Sequence, residues 1–157
     1  MTKSNHVDNK GNIQMVDVGN KTISKRKAIA SGCIILNQDA LESINNGINK
    51  KGDVLLVAQI AGIQAAKNTS MLVPLAHPLN IMSVNVDFNI QSDRVECTSV
   101  VNCDGKTGVE IEALCATQIS LLTIYDMCKY LDRSMIMSDI KLISKEGGKS
   151  GEFIREE

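Results

Sequence analysis

The sequence predicts an α+β domain in which an antiparallel sheet packs against helices in two layers. Residues 80–90 and 94–103 alternate between apolar and polar side chains, and the short polar connection between them predicts a β-hairpin. Two longer stretches, residues 54–67 and 107–133, have the composition and length of helices. Helices and antiparallel strands in a chain of 157 residues indicate one small mixed domain.

The first half of the chain contributes strand and then helix signals. Residues 13–18 alternate weakly and are expected to form a short edge segment, and residues 22–36 are expected to form a strand because they become rich in β-branched side chains. Residues 38–46 carry apolar side chains at helical spacing. Asp53 is a suitable N-cap for the next helix, which should end near Lys67.

The second half continues after the hairpin with a long helix and a final strand. Thr107 and Glu110 match a capping box at the start of that helix, which should continue to about Arg133. The last strand is predicted near residues 140–144. The order β, α, α, β, β, α, β favours a ferredoxin-like two-layer sandwich.

Composition restricts the class of protein. Residues 1–157 are expected to form a single domain with flexible ends at 1–12 and 152–157. The net charge is −1, so no whole-protein field attracts polyanions. An RNA-binding module of this shape would need stacking aromatic residues on its strands, and the hairpin offers only Phe88. We therefore expect no nucleic-acid partner.

The cysteines and the apolar segments indicate the compartment. Five cysteines without C-x-x-C spacing argue against a disulfide framework and against a structural zinc site. The hydrophilic N-terminus lacks the core of a signal peptide, and the longest aliphatic run, residues 54–58, is too short to span a bilayer. A cytoplasmic protein with no membrane association is expected.

The long predicted helix is unusual because apolar side chains cover nearly its full circumference between residues 109 and 131. It also carries Glu110, Glu112, Asp126 and Lys129, and such groups are rarely buried without a partner. Asp126 and Lys129 are three residues apart and therefore neighbours on one face, where they could form a structural ion pair or part of a site. Glu110 could be a helix cap or an acid of the site.

The length of this helix limits which groups can act together. Glu112 and Asp126 are separated by ~21 Å at 1.5 Å per residue, so they cannot touch one reacting atom within a monomer. They could serve two ends of a long ligand, belong to two sites, or be shared between subunits of an oligomer. Glu110 and Glu112 point to the same side only if residues 109–112 are extended, and the sequence leaves this open.

His77 lies in the segment PLAHPL, residues 74–79, between Pro74 and Pro78, the two prolines of the chain. Pro78 holds His77 extended, and Pro74 stiffens the approach. The ring could be a satisfied core histidine, but a rigid connector also suits a catalytic imidazole.

Two basic segments are candidates for anion binding. Lys51 precedes a helix N-terminus, where anions are favoured, although it could be an ordinary loop lysine. The GGKSG segment, residues 147–151, lacks the spacing of a P-loop. It could be a glycine-rich lid carrying Lys145 and Lys149, or a flexible tail.

Seven segments together resemble the cyclic pyranopterin monophosphate synthase family, the accessory protein C of molybdenum cofactor biosynthesis (MoaC). The resemblance runs from residue 13 to residue 153. The segments are MVDV (15–18), KKGDV (50–54), AGIQAAK (61–67), PLAHPL (74–79), GKTGVEIEAL (105–114), LTIYDMCK (122–129) and GGKSG (147–151).

The resemblance implies a ferredoxin-like fold and a homohexamer, a trimer of dimers, with the active site at a subunit interface. It also implies a lyase that converts (8S)-3′,8-cyclo-7,8-dihydroguanosine 5′-triphosphate into cyclic pyranopterin monophosphate and diphosphate by acid/base catalysis. No cluster of metal ligands stands out, so no cofactor is expected, although Mg²⁺ could accompany the triphosphate. A nucleotide-binding regulatory module on the same scaffold is the alternative, because fold alone does not fix function.

The resemblance also assigns site residues to this chain. Lys51 and Lys129 are candidates for proton transfer, with Asp126 positioning and tuning Lys129. The implied catalytic residues are Lys51, His77, Glu110, Glu112, Asp126 and Lys129. The implied substrate-contacting residues are Leu75, Ala76, His77, Ile111 and Glu112, and the cations expected to hold phosphates are Arg26, Lys67, Lys145 and Lys149.

Overall fold

A computed structural model describes residues 6–8, 10–149 and 151–156. Five strands form one sheet, in which every neighbouring pair is antiparallel. The spatial order is β2-β3-β1-β4-β5. The strands are β1 (Ser24–Ile35), β2 (Ile81–Ile90), β3 (Arg94–Gly105), β4 (Ile136–Glu146) and β5 (Phe153–Ile154).

The helices form the second layer. They are α1 (Gln38–Asn45), α2 (Val54–Lys67), α3 (Thr69–Leu72) and α4 (Glu110–Cys128). Helix α4 packs on the central strands, and α2 packs on β2 and on α4. Ser120 in α4 donates a hydrogen bond to the carbonyl of Ala58 in α2 at 3.0 Å. The predicted α+β sandwich of an antiparallel sheet and helices is confirmed.

The core between the layers is aliphatic. Ile34, Val101, Leu121 and Ile124 are fully buried there, and four of the five cysteines are buried as small apolar groups without disulfides. Gly32 allows α4 to approach β1, because an added Cβ would lie 3.0 Å from a methyl carbon of Leu121. Burial of this apolar surface is the main force holding α4 and α2 on the sheet.

Helix α2 has the predicted bounds, and the predicted hairpin is present with β2 starting one residue later and β3 ending two residues later than predicted. Residues 91–93 connect β2 to β3, and the amide of Gln91 donates to the carbonyl of Arg94 at 2.8 Å. Asp53 caps α2 as predicted, since its carboxylate accepts from the amide of Leu56 at 3.0 Å. These predictions rest on local signals, and the local signals agree with the tertiary packing.

Helix α4 differs from its prediction at both ends. The predicted capping box is wrong, because Val109 is the N-cap residue and makes no side-chain capping bond. Glu110 is therefore the first helical residue instead of the third, and its carboxylate pairs with Lys145 at 3.1 Å. The helix ends at Cys128 rather than Arg133, since the carbonyl of Cys128 accepts from two residues of a following turn.

Four further segments also differ from the predictions. Residues 13–18 form no strand, and Ile13 makes only an isolated bridge with Val7. Strand β4 is longer than the predicted residues 140–144, and α3 and β5 were not predicted. The expected flexibility of 1–12 and 152–157 stays a prediction; residues 1–5, 9 and 157 lie outside the described residues, as does residue 150 of the GGKSG segment.

Candidate active site

Helix α4 separates the predicted site residues into two groups. Lys51, Asp126 and Lys129 meet at its C-terminal end and are called the C-terminal cluster below. His77, Glu110 and Glu112 lie around its first turn. Because α4 is continuous from residue 110 to residue 128, Glu112 and Asp126 are ~21 Å apart along its axis. A single chain therefore does not bring all six predicted catalytic residues together.

The C-terminal cluster holds two ammonium groups on one carboxylate. The Nζ of Lys129 lies 2.7 Å from Oδ1 of Asp126, and the Nζ of Lys51 lies 3.1 Å from Oδ2. Lys51 Nζ also donates to the main-chain carbonyl of Asp126 at 2.6 Å. Hydrogen bonds from Lys129 and then Lys51 lower the pKa of Asp126, so this carboxyl group stays ionised at neutral pH.

The turn before α2 places Lys51 in the C-terminal cluster. Gly52 adopts φ +99°, a conformation that suits glycine, and it precedes the helix cap at Asp53. The neighbouring Lys50 lies outside the cluster, with its Nζ 3.8 Å from the centre of the Tyr130 ring. Of the two adjacent lysines, only Lys51 thus reaches Asp126.

A cavity of about 630 Å³ lies at the other end of α4 and is called the acid–base cavity below. The predicted substrate-contacting residues Leu75, Ala76, His77, Ile111 and Glu112 line it, together with Glu110. The opposite wall comes from the N-terminal segment, through His6, Val16, Val18 and Lys21. The six predicted residues come from two separate chain segments, so the cavity depends on the tertiary fold.

His77 contacts this N-terminal wall directly. Its Nε2 lies 2.7 Å from the main-chain oxygen of Val16. A carbonyl can only accept, so Nε2 carries a hydrogen and donates, which leaves Nδ1 as the second functional nitrogen of the ring. The rigid connector predicted from Pro74 and Pro78 therefore presents an imidazole of fixed orientation.

Glu112 is the most buried acidic group of the cavity, with a relative exposure of 4%. Burial, reinforced by the charge of Glu110, raises the pKa of Glu112 to about 7. A carboxyl group with such a pKa can both donate and accept a proton near neutral pH, which is the property required of a general acid or base. Glu110 and Glu112 diverge because both lie in the first helical turn.

A second cavity, of about 600 Å³, adjoins the first and is called the basic cavity. Five cationic side chains and one carboxylate line it, which makes it suited to a polyanion. The two cavities share Lys21, Thr107, Gly108 and Glu110. The cationic residues are Lys21, Arg26, Lys106, Lys145 and Lys149, and the carboxylate belongs to Glu110.

The glycine-rich segment after β4 packs on Arg26, which is buried on β1 with an exposure of 9%. An added Cβ on Gly148 would overlap the Arg26 guanidinium group, and Gly148 has φ +82°. This close approach requires glycine. Gly148 and Lys149 thus line the basic cavity, and the lid role of the segment stays a prediction.

The structure adds two cations to those predicted and leaves one apart. Lys21 and Lys106 line the basic cavity, and Lys106 Nζ donates to the carbonyl of Gly19 at 2.6 Å. Sequence reasoning missed both; Lys106 lies within the GKTGVEIEAL segment, and that position was the available signal. Lys67 is exposed at the end of α2 and is not among the residues that line either cavity.

Several apolar side chains on the helices face solvent in the single chain. Ile111 and Leu122 of α4 are 42% and 47% exposed, although other apolar residues of α4 are buried. The other exposed apolar side chains of the helices, which together with Ile111 and Leu122 are called the exposed helix face below, are Leu56, Val57 and Ile60 of α2 and Met71 and Leu72 of α3.

Within the described residues, no group of three or more His, Cys, Asp or Glu side chains could hold a metal ion. No helix among them is long and apolar enough to cross a membrane.

The chain is similar to known proteins over nearly its full length. A family model described as the MoaC family matches residues 15–148. A cyclic pyranopterin monophosphate synthase of Clostridium botulinum is 55% identical over 156 residues, covering 98% of each chain. Proteins of the same name from Heliobacterium modesticaldum and Staphylococcus epidermidis are each 49% identical, over 154 and 160 residues, with 97% and 99% of each chain covered.

Proposed function

The chain belongs to the MoaC family, and from this premise we propose that it is a cyclic pyranopterin monophosphate synthase of molybdenum cofactor biosynthesis. The proposed substrate is (8S)-3′,8-cyclo-7,8-dihydroguanosine 5′-triphosphate, and the products are cyclic pyranopterin monophosphate and diphosphate. The observation that carries the proposal is the adjoining pair of cavities, one basic and one containing Glu112 and His77. A triphosphorylated purine derivative needs both environments.

The basic cavity is the proposed site of the triphosphate. Closure of the cyclic phosphate expels diphosphate, and fixed cations stabilise the charge that develops on its oxygens. Arg26, Lys145 and Lys149 are the predicted cations that line this cavity. Lys67 needs a different geometry to contribute, such as an approach from a neighbouring chain. Any Mg²⁺ would enter with the triphosphate and not as a resident metal.

The acid–base cavity is the proposed site of the purine-derived rings. Opening the imidazole-derived ring and forming the pyranopterin require several proton transfers. Glu112 is suited to these transfers because burial raises its pKa to about 7. His77 offers a ring whose Nε2 is held by Val16 and whose Nδ1 can hydrogen-bond to the substrate. Leu75, Ala76 and Ile111 would supply the apolar walls against which the rings pack.

The C-terminal cluster is proposed to complete the site from a neighbouring subunit. Lys51 and Lys129 would transfer protons while Asp126 fixes both ammonium groups at hydrogen-bonding distance. The exposed helix face, which includes Ile111 and Leu122, supplies apolar surface for such an assembly. We propose a cytoplasmic homohexamer, a trimer of dimers, whose active sites are shared between subunits.

Product analysis tests the proposed reaction. The purified protein is incubated with the cyclic dihydro-GTP derivative, and the products are identified by mass spectrometry. Formation of cyclic pyranopterin monophosphate with one equivalent of diphosphate is the expected result. Saturable binding without conversion would instead establish the nucleotide-binding regulatory module.

Single substitutions assign the roles of individual residues. Lys51→Ala and Lys129→Ala should each abolish turnover while the circular dichroism of the folded protein is retained. Arg26→Ala and Lys67→Ala should weaken substrate binding. Lys141→Ala is the matched control, because Lys141 is an exposed strand lysine that lines neither cavity. Normal turnover by a Lys51 or Lys129 variant would remove that residue from the mechanism.

A further inference from the structure

The side chain of Asn49 is buried beneath the C-terminal cluster and contacts three separate parts of the chain. Its exposure is 7%. Its amide nitrogen donates to the Ser43 hydroxyl at 3.3 Å and to the carbonyl of Met127 at 3.4 Å. Its amide oxygen accepts from the backbone amide of Lys51 at 2.9 Å. One side chain thus joins α1, the end of α4 and the turn that carries Lys51.

These bonds hold the backbone at Lys51 and the backbone next to Asp126, so that both partners of the ion pair are fixed. Met127, whose carbonyl accepts from Asn49, directly follows Asp126 in α4. The same Asn49 holds the Lys51 backbone, and its own carbonyl accepts from the amide of Gly52 at 3.0 Å, which closes the turn. The helix end and the turn are therefore tied to one rigid group, since a buried amide with satisfied hydrogen bonds has little freedom to move.

The side chain of Lys51 alone would not provide this rigidity. It is 36% exposed, and exposed ammonium–carboxylate pairs fix geometry only weakly. Catalysis by a proton-transfer group depends on its position, and a misplacement of about 1 Å can reduce the rate about 100-fold. A buried contact to the Lys51 backbone is therefore needed to keep Lys51 at a constant distance from α4.

We propose that Asn49 is a positioning residue that sets Lys51 against Asp126 and Lys129 by clamping the turn at residues 49–52 to the end of α4. The proposal rests on the proposed function, because it assumes that Lys51 takes part in turnover. It goes beyond that function in assigning a role to a residue that touches neither cavity.

Asn49→Ala and Asn49→Ser test the proposal. The alanine variant loses all of these side-chain bonds, and kcat should fall about 100-fold with a much smaller change in KM. The serine hydroxyl can still accept from the amide two residues ahead, so Asn49→Ser should recover part of the lost kcat. Rates are measured per folded molecule, at a temperature at which thermal unfolding shows each variant to be native.

Ser43→Ala is the matched control. It removes a buried hydrogen bond from the same network but leaves the bonds of Asn49 to Lys51 and Met127 in place. It should lower the melting temperature and keep kcat. Equal losses of kcat in Ser43→Ala and Asn49→Ala would overturn the proposal, because the effect would then be one of general stability.

Amide hydrogen exchange at Lys51 gives a readout that needs no substrate. The Lys51 amide should be protected in the wild type, partly protected in Asn49→Ser and unprotected in Asn49→Ala. Unchanged protection, or a wild-type kcat in Asn49→Ala, would overturn the positioning role. If the wild type forms no product, the proposed function fails separately, while the exchange data still decide whether Asn49 holds Lys51.

Discussion

At the scale of single residues, the burial of Glu112 predicts a pH dependence of stability. The folded protein raises the pKa of Glu112 to about 7 from the usual 4.5, mainly by burial. Between these values the folded carboxyl keeps its proton while the unfolded one releases it. The free energy of unfolding therefore falls by about 3 kcal/mol, from this one group, as pH rises from 4.5 to 7. Above pH 7 it stays at this lower value.

Glu112→Gln should remove this dependence. At pH 8 the variant should be more stable than the wild type by up to about 3 kcal/mol, and at pH 4 the two should be similar. Urea unfolding at both pH values measures the difference. Glu42→Gln, which changes an exposed helical carboxylate, serves as the control and should show no such change. A variant difference that is equal at pH 4 and pH 8 would contradict the assignment.

Gly148 gives a second prediction at this scale. Gly148→Ala should displace the Arg26 guanidinium group and strain a backbone at φ +82°. The affinity for inorganic triphosphate, measured by calorimetry, should fall about tenfold, because losing one hydrogen bond from the displaced guanidinium costs about 1.5 kcal/mol. Gly151→Ala is the control, since Gly151 also has positive φ but an added Cβ meets no neighbouring atom. Equal effects of both substitutions would exclude a specific contact with Arg26.

The sequence predicts some of these residues better than others. The role of Asp53 could be inferred because an N-cap is a local motif. The Thr107–Glu110 capping box was equally local, yet it is wrong because Glu110 pairs with Lys145, which is distant in sequence. Tertiary ion pairs of this kind leave no periodic signal. Lys21 was missed for the same reason, since only the fold brings it to the wall shared by both cavities.

At the scale of elements, the close packing of α2 against α4 depends on Gly62. An added Cβ there would overlap the Ser120 hydroxyl and lie 3.0 Å from the carbonyl of Ala116. Alanine would gain about 1 kcal/mol in helix propensity, but separating two packed helices costs more. Gly62→Ala should therefore lower the free energy of unfolding by about 1–2 kcal/mol. Urea unfolding measures it, with the exposed substitution Gln64→Ala as control. A more stable Gly62→Ala would show that the helices can separate at no cost.

Long regular elements were predictable and irregular ones were not. Each strand of the hairpin alternates over ten residues or more, and α2 combines 14 residues of helical composition with an N-cap at Asp53. Strand β4 contains register shifts against β1, and Asp139 within it has φ +53°. Such bulges reverse the alternation of side chains, so only part of the strand was recognised. Strand β5 has two residues, which is too short for any periodic signal.

At the scale of the whole molecule, the separation of the two groups along α4 predicts complementation between variants. Lys51→Ala alters the C-terminal cluster, Glu112→Gln alters the acid–base cavity at the other end of α4, and each variant should be inactive alone. If neighbouring subunits share sites, a refolded mixture in equal amounts should regain about a quarter of the activity, because that share of the sites contains neither substitution. Turnover of the mixture and its mass in solution are the two measurements.

Lys51→Ala mixed with Lys129→Ala is the control, because both substitutions alter the C-terminal cluster. Shared sites cannot be restored in that mixture if both lysines come from one chain. If the mixture of Lys51→Ala and Glu112→Gln is as inactive as this control, the sites are not shared between subunits.

The all-round apolar pattern of the long helix already suggested a surface for partners, and Ile111 and Leu122 are exposed in the single chain. The number and arrangement of subunits remain predictions.

The hydrogen bond from His77 to Val16 has a genetic consequence. The acceptor is a peptide oxygen, which every amino acid supplies, whereas the donor is an imidazole nitrogen. Randomising codon 16 should therefore yield many functional clones, while randomising codon 77 should yield few. Selection would thus conserve histidine at position 77 while allowing many residues at position 16, so that one interaction is conserved at only one of its two positions.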